Sequence, residues 1–399
     1  MHRPGTELRR ITPRTAWLLE SGRVPWMARA QEEHDKFADV LRDHGVQVHY
    51  LADLLAEVLR YRMARQEAIS AALAGARLGL QLEPVVSEYL HSLGPADLAC
   101  TLIAGLTPAE LPGGRGLVFG LLGTHDFVLE PAANLVFSRD SSVVIGDQVV
   151  LANLAGPRRR EAGLLGPIYR HHPMFAGLTV CDLAWPAPLD GADIVLLAPG
   201  VVAIGVGART APAAAEALAR RIIDAGAART VLAVPLNGAE RLDMMCTVVA
   251  PGTVIMARNL AFTLTALTIT ARDEDLAVSR PWPFLEAAAA AMGVDRLTVI
   301  ETGAQLPGEA GQWEDGGNAL ALGNQIVVCD ERNTQTNARL SAAGFRVVGI
   351  PVGELGGDLR GGPRCLCAVL ERDSHESSAG PVTASKEDEV VLLAAGAAP

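Results

Sequence analysis

Aromatic side chains make up only 4% of the 399-residue sequence, so the interior must be filled by aliphatic side chains rather than stacked rings. No apolar run reaches the roughly 18 residues that would span a bilayer, and Met1-His2-Arg3-Pro4-Gly5 lacks the apolar stretch of a secretory signal. Both absences point to a soluble, cytoplasmic protein with no membrane partner. The six cysteines, at 100, 181, 246, 329, 365 and 367, include no Cys-x-x-Cys pair, and the nine histidines form no ligand-like set with a carboxylate. No disulfide framework, metal site or organic cofactor is expected. Positive charge is short as well, 34 Lys and Arg against 45 Asp and Glu for a net charge of −11. Nucleic acid would be repelled at long range, and so would an anionic membrane. Small ligands remain.

The chain has hydrophobic residues in abundance (49%), with 40 glycines and 24 prolines, the balance of a turn-rich α/β protein. One unit recurs: an amphipathic helix, a glycine at its end, then a short apolar or alternating strand. The five copies pass Gly45 into Val46–Leu51, Gly177 into Leu178–Cys181, Gly226 into Val231–Val234, Gly293 into Leu297–Ile300 and Gly344 into Val347–Val352. Strand pairs with tight-turn chemistry lie between them: Val143–Ile145 with Val149–Leu151, Ile194–Leu197 with Val201–Ile204, Thr247–Val249 with Val254–Met256, and Leu320–Leu322 with Ile326–Cys329. One such module cannot cover its own sheet, so the copies should pack around a common centre as a ring of blades. The gap from Gly45 to Gly177 is about twice the longest later gap, an excess of roughly 70 residues with helical periodicity. The expected division is therefore a first blade at 1–51, a helical insertion at 52–122, the remaining blades and catalytic loop at 123–373, and a mobile tail at 374–399.

Eight ordered segments resemble the arginine deiminases of the guanidino-group-modifying, or pentein, superfamily. They are His2-Arg3-Pro4-Gly5, Arg29–Asp35, Asn134–Asp140, Arg158–Glu161, Asp190–Asp193, Leu242-Asp243, Glu331–Asn333 with Thr336-Asn337, and Arg360–Cys365. Any one would be weak, whereas the ordered set spans nearly the whole chain. The resemblance implies a five-bladed α/β propeller carrying a small helical insertion domain. It also implies hydrolysis of L-arginine to L-citrulline and ammonia without a cofactor, in a protein that self-associates. Members usually have a further strand before His-Arg-Pro-Gly; with Met1 at this point, the first blade lacks that strand or translation starts late.

A guanidinium is planar, delocalised and a poor electrophile, so attack at its carbon needs a clamp and an activated nucleophile. By the resemblance, Asp140 and Asp243 are the gripping carboxylates and Cys365 is the nucleophile. An isolated aspartate is more often a cap or turn residue, and an isolated buried cysteine a small hydrophobe; the surrounding motifs reverse both readings. Arg360 matches a loop arginine that approaches substrate, and with Arg364 it flanks the thiol with positive charge. Cys367 is read as a packed neighbour. Asn134, Arg158 and Arg209 match the positions that bind the amino-acid end, with Phe137 as an apolar wall.

The sequence departs from the family where protons move. Arg241 stands where members carry the histidine that shuttles protons, and a guanidinium cannot do this near neutrality. The partner glutamate has become Asp190, which could pair with Arg241. His171 and His172 follow a distant helix and are not promoted to the missing role. Trp313–Asn318 and Leu18–Gly22 also differ from the family pattern, the latter lacking its usual Phe-Asp. Two alternatives follow: a degenerate paralogue binding arginine or another guanidino compound as sensor or partner subunit, and an amidino-group enzyme acting on a modified arginine.

Overall fold

The computed structural model describes residues 1–181, 187–236, 241–303, 317–357 and 361–372. Its repeating unit is an antiparallel hairpin followed by a helix and a parallel third strand. In the first sheet, β1 (Ser142–Ile145) and β2 (Gln148–Leu151) turn through Gly146, whose φ of 61° suits a residue without a Cβ. The helix Arg159–His171 then returns the chain to β3 (Thr179–Cys181), parallel to β2. The second sheet repeats this with β4 (Ile194–Ala198), β5 (Val201–Val206), the helix Pro212–Asp224 and β6 (Thr230–Pro235). That helix buries Ala214, Ala215, Leu218, Ala219 and Ile222 on one face, the stripe a 3.6-residue period dictates. The stripe joins Val202, Ile204 and Val231 of the sheet in one cluster, each large aliphatic contributing roughly 1.5–3 kcal/mol.

The third sheet begins with β7 (Cys246–Ala250) and β8 (Thr253–Met256). Before it is completed, the chain makes an excursion that the sequence reading lacked. Strands β9 (Thr265–Arg272) and β10 (Asp275–Val278) form a hairpin that extends the second sheet to the order β10-β9-β6-β5-β4, with the short β11 (Trp282–Pro283) also on β9. After the helix Phe284–Met292, β12 (Thr298–Glu301) runs parallel to β8 and finishes the third sheet. The fourth sheet comprises β13 (Leu320–Gly323), β14 (Ile326–Asp330) and β15 (Arg346–Ile350).

Strand β4 packs against β7, and β7 against β13, while the turns leading into β1 and β4 touch, so the leading turns of successive sheets approach a common region. Among the described residues, four of the five expected units carry a sheet. Val46–Leu51 were expected as a strand, and Val46–Tyr50 are irregular while Leu51 is helical. Their links to the N-terminus are the Met1 ammonium to the His49 carbonyl at 2.9 Å and the neighbouring Leu51 N–H to the Met1 carbonyl at 2.8 Å, too few for a ladder. Leu51 instead opens the first of five helices, Leu51–Val58, Arg62–Ala74, Gly79–Ser92, Pro95–Ala104 and Leu117–Leu121. His171 and His172, rejected above as proton shuttles, tie this helical segment to the first sheet's helix: His171 Nε2 lies 2.8 Å from Glu67 and His172 Nε2 lies 3.1 Å from Glu57. The C-terminal tail and Trp313–Gly316 lie outside the described residues. No described helix is long and apolar enough to cross a membrane.

Candidate active site

Several polar groups converge because they hold equivalent places in the repeat, on the short turn leading into a first strand. Asp140 lies on Ser138–Ser141 ahead of β1, Asp243 on Leu242–Met245 ahead of β7, and Asn318 two residues ahead of β13. Ahead of β4, Asp190 caps the turn Gly191–Asp193, its Oδ1 accepting the Ala192 N–H at 2.9 Å. Gly191 lets this turn slide under the Asp140 turn. A Cβ there would stand 2.5 Å from the Arg139 carbonyl and 2.7 Å from that of Asp140.

Cys365 is fully buried on a turn closed by its N–H to the Gly362 carbonyl at 3.0 Å. The Arg139 N–H to the Cys365 carbonyl (3.4 Å) and Ser138 Oγ to the Leu366 carbonyl (3.3 Å) fasten this turn to the one bearing Asp140. Its Sγ receives the Asn318 amide at 2.9 Å and an Arg241 N–H at 3.2 Å, and lies 3.6 Å from Asp243 Oδ2. Donors aimed at sulfur favour the thiolate. The Asn318 carbonyl oxygen accepts the Arg364 N–H at 3.0 Å, so one buried amide holds both turn and sulfur. Arg364, expected as a cation beside the thiol, directs its guanidinium to the Cys246 carbonyl (3.1 Å) and Thr247 Oγ1 (2.8 Å). Arg360, the expected loop arginine, lies outside the described residues. Cys367 is buried, with its Sγ 3.7 Å from the Pro363 carbonyl.

Arg241 occupies the space between these groups. Nη1 is 3.3 Å from Asp140 Oδ2, Nε is 3.5 Å from Asp243 Oδ1, and Nη2 faces the sulfur. Donor atoms of Asp140, Asp243 and Cys365 lie within 4.8 Å of one another; such a set would suit a divalent cation, but the Arg241 guanidinium contacts all three residues. Asp190, read from sequence as a candidate partner for Arg241, holds Arg209, with Oδ2 accepting Nε at 2.9 Å. Arg209 lies within reach because it sits on the loop leaving β5, next to the Asp190 turn that feeds β4.

The other end of the cluster contains Arg158 and Arg209 with Glu20 between them. Arg158 is buried and donates to Asp140 Oδ2 at 2.7 Å and to Glu161 Oε2 at 2.9 Å. Glu20 Oε2 lies 3.3 Å from Arg158 Nη1, while its Oε1 accepts from Arg209 Nη2. Asn134 steadies the Glu20 segment, its amide donating to the Leu18 carbonyl at 2.8 Å and its oxygen accepting the Glu20 N–H at 3.0 Å. Phe137 backs the nucleophile turn; a Cβ on Gly361 would strike its ring at 2.3 Å. Burial raises the Asp140 carboxyl to about 7 against the opposing pull of Arg158 and Arg241. Burial, then Asp190, raises Asp193 to about 7 as well. Glu20 resists burial because Arg158, Arg209 and Arg241 together bring it down to about 2. Glu20 and Asn318 were missed as site residues, although both fall in segments already marked as departing from the family pattern.

A family model described as arginine deiminase matches residues 18–372. The chain belongs to the arginine deiminase family. It is 48% identical to the arginine deiminase of Mycobacterium marinum, over 94% of this chain and 95% of that one. The arginine deiminase of Rhodococcus erythropolis is 45% identical, over 94% of each. Among solved structures, the N-terminal domain of ArgZ, an arginine dihydrolase from cyanobacteria, aligns with a TM-score of 0.43 and 17% identity, covering 59% of this chain and 74% of that one. The arginine deiminase family thus accounts for the order of the motifs that carry Asp140, Asp243 and Cys365, and these three converge in space.

Proposed function

We propose that this arginine deiminase family member hydrolyses L-arginine to L-citrulline and ammonia, with Cys365 as nucleophile. The observation that carries the reading is the buried sulfur facing two carboxylates across a space that already holds one guanidinium. With a substrate guanidinium in that space, Asp140 and Asp243 grip its N–H edges and keep it planar and charged. The Cys365 thiolate adds to its carbon, and the C–N bond breaks as that nitrogen takes a proton and leaves as ammonia. Water then adds to the same carbon, the C–S bond breaks, and citrulline and the thiolate are released. Residue 241 cannot transfer the protons. That role falls to Asp140, a carboxyl near the sulfur that burial raises to about 7.

Arg158 and Arg209 bind the substrate carboxylate in this reading, with Asn134 positioning the segment above them, Phe137 as a wall and Arg360 approaching from its loop. Asp190, with no histidine to orient, positions Arg209. The packing of first strands in sequence supports a closed ring of five units, with 52–122 as a helical insertion. We assign it to the cytoplasm as a self-associating enzyme. The test is release of citrulline and ammonia in equal amounts from L-arginine, with Cys365→Ala lowering the rate by ~10³-fold or more. No citrulline from the intact protein excludes the reading. Arg241 lying in the clamp favours one second reading, an arginine-binding paralogue without turnover, for which calorimetry would register binding while no citrulline forms.

A further inference from the structure

The two charged ends of a free amino acid with a guanidinium tail already have counterparts inside this protein. At one end of the cluster the Glu20 carboxylate bridges Arg158 and Arg209, the pair that the proposed function assigns to a substrate carboxylate. At the other end the Arg241 guanidinium touches Asp140, Asp243 and Cys365, the groups assigned to a substrate guanidinium. Both residues depart from the family pattern, and the departures are opposite in charge. We infer that Glu20 and Arg241 together are an internal stand-in for L-arginine, so that the described arrangement is a self-occupied site which the amino acid enters by displacing both side chains.

The fit of the stand-in is incomplete in a way that favours displacement. Asp140 Oδ1, Asp243 Oδ1 and Arg158 Nη2 are buried without a hydrogen-bond partner among the described residues. Arg241 reaches Asp243 Oδ1 only at ion-pair distance, 3.5 Å. Each carboxylate thus keeps one oxygen without a hydrogen bond from Arg241, whereas an untethered guanidinium is free to seek two parallel N–H bonds. Arg241 also turns an N–H edge toward the sulfur, with Nη2 donating at 3.2 Å. A nucleophile must approach a guanidinium carbon across its plane, so Arg241 is held in an unreactive pose and persists as a plug. Asn134, bound to Leu18 and Glu20, fixes the departure point of the carboxylate half. The arrangement lowers apparent affinity by the fraction of molecules whose site is open.

The inference rests on the proposed function and has its own test. Calorimetry with L-arginine and with agmatine, which keeps the guanidinium but lacks the carboxylate, is carried out on the full chain, each variant made in a Cys365→Ser background that cannot turn over. Glu20→Gln is expected to tighten L-arginine binding about tenfold or more while agmatine changes by less than about twofold; Arg241→Gln is expected to tighten both. Unchanged or weaker L-arginine binding in Glu20→Gln overturns the inference, as does an equal gain for both ligands. If Arg241→Gln does not fold, the contrast between ligands in Glu20→Gln still decides. Citrulline formation by the unmodified protein separates the two claims. Tightened binding without citrulline defeats only the reaction, and citrulline with flat affinities defeats only the stand-in.

Discussion

Asn318 has a structural and a chemical duty in one side chain, since its amide donates to the Cys365 sulfur and its oxygen holds the Arg364 N–H. Replacing it by alanine removes a donor from the thiolate and leaves the half-buried Arg364 N–H without its acceptor. The expected outcome is a kcat lower by about 10- to 100-fold with KM little changed, and a stability loss of about 1–3 kcal/mol. Steady-state kinetics with a thermal melt checks both, and equal changes in kcat and stability for Asn318→Asp and Asn318→Ala would contradict a role toward the sulfur, because the acid puts negative charge beside it. Cys365, Asp140 and Asp243 could be found from sequence because their neighbours form motifs. Arg241 was read as standing where the family carries a histidine, but its place between Asp140, Asp243 and Cys365 was not legible, since a side chain's reach between sheets has no sequence period. Glu20 lies more than 100 residues from each of its two arginine partners, so its segment could be marked as unusual while its place in the site could not.

The turns that lead into first strands are the elements on which the site depends. At Gly191 two of them touch, and a methyl group there would meet two backbone carbonyls that cannot rotate away. Gly191→Ala is therefore expected to cost about 1–3 kcal/mol and to displace Asp140, giving a lower Tm together with a raised KM for L-arginine; a variant with the original Tm and KM would show that the two turns do not bear on each other. Strand pairs around Gly146 and Gly200 were legible because tight-turn residues separate apolar runs of matching length. The hairpin of β9 and β10 was not, although Leu267–Ala271 alternates, because the repeating unit has no place for a further hairpin between its second strand and its helix. The strand expected at Val46–Leu51 failed for the opposite reason: β-prone residues alone do not make a strand without an edge to pair with.

Across the whole molecule, the buried acids set how stability responds to pH. Asp193 rises from its ordinary 3.8 to about 7 in the folded protein, so the folded state holds a proton that the unfolded chain releases, and stability falls as pH rises through that window. Glu20 acts in the other direction, its contribution present above 4.5 and lost as pH falls toward about 2. Asp193→Asn is expected to flatten the decline in Tm between pH 5 and pH 8, each value read by calorimetry; an unaltered slope would remove Asp193 as its source. The chemistry converges on one sulfur atom, and mass spectrometry of the intact protein, quenched during incubation with L-arginine, reads it directly. The expected result is an amidino adduct on Cys365, absent from Cys365→Ala and accompanied by citrulline. An unmodified Cys365 with no citrulline, at L-arginine concentrations that saturate binding, would contradict the assignment of this site as an arginine-hydrolysing centre.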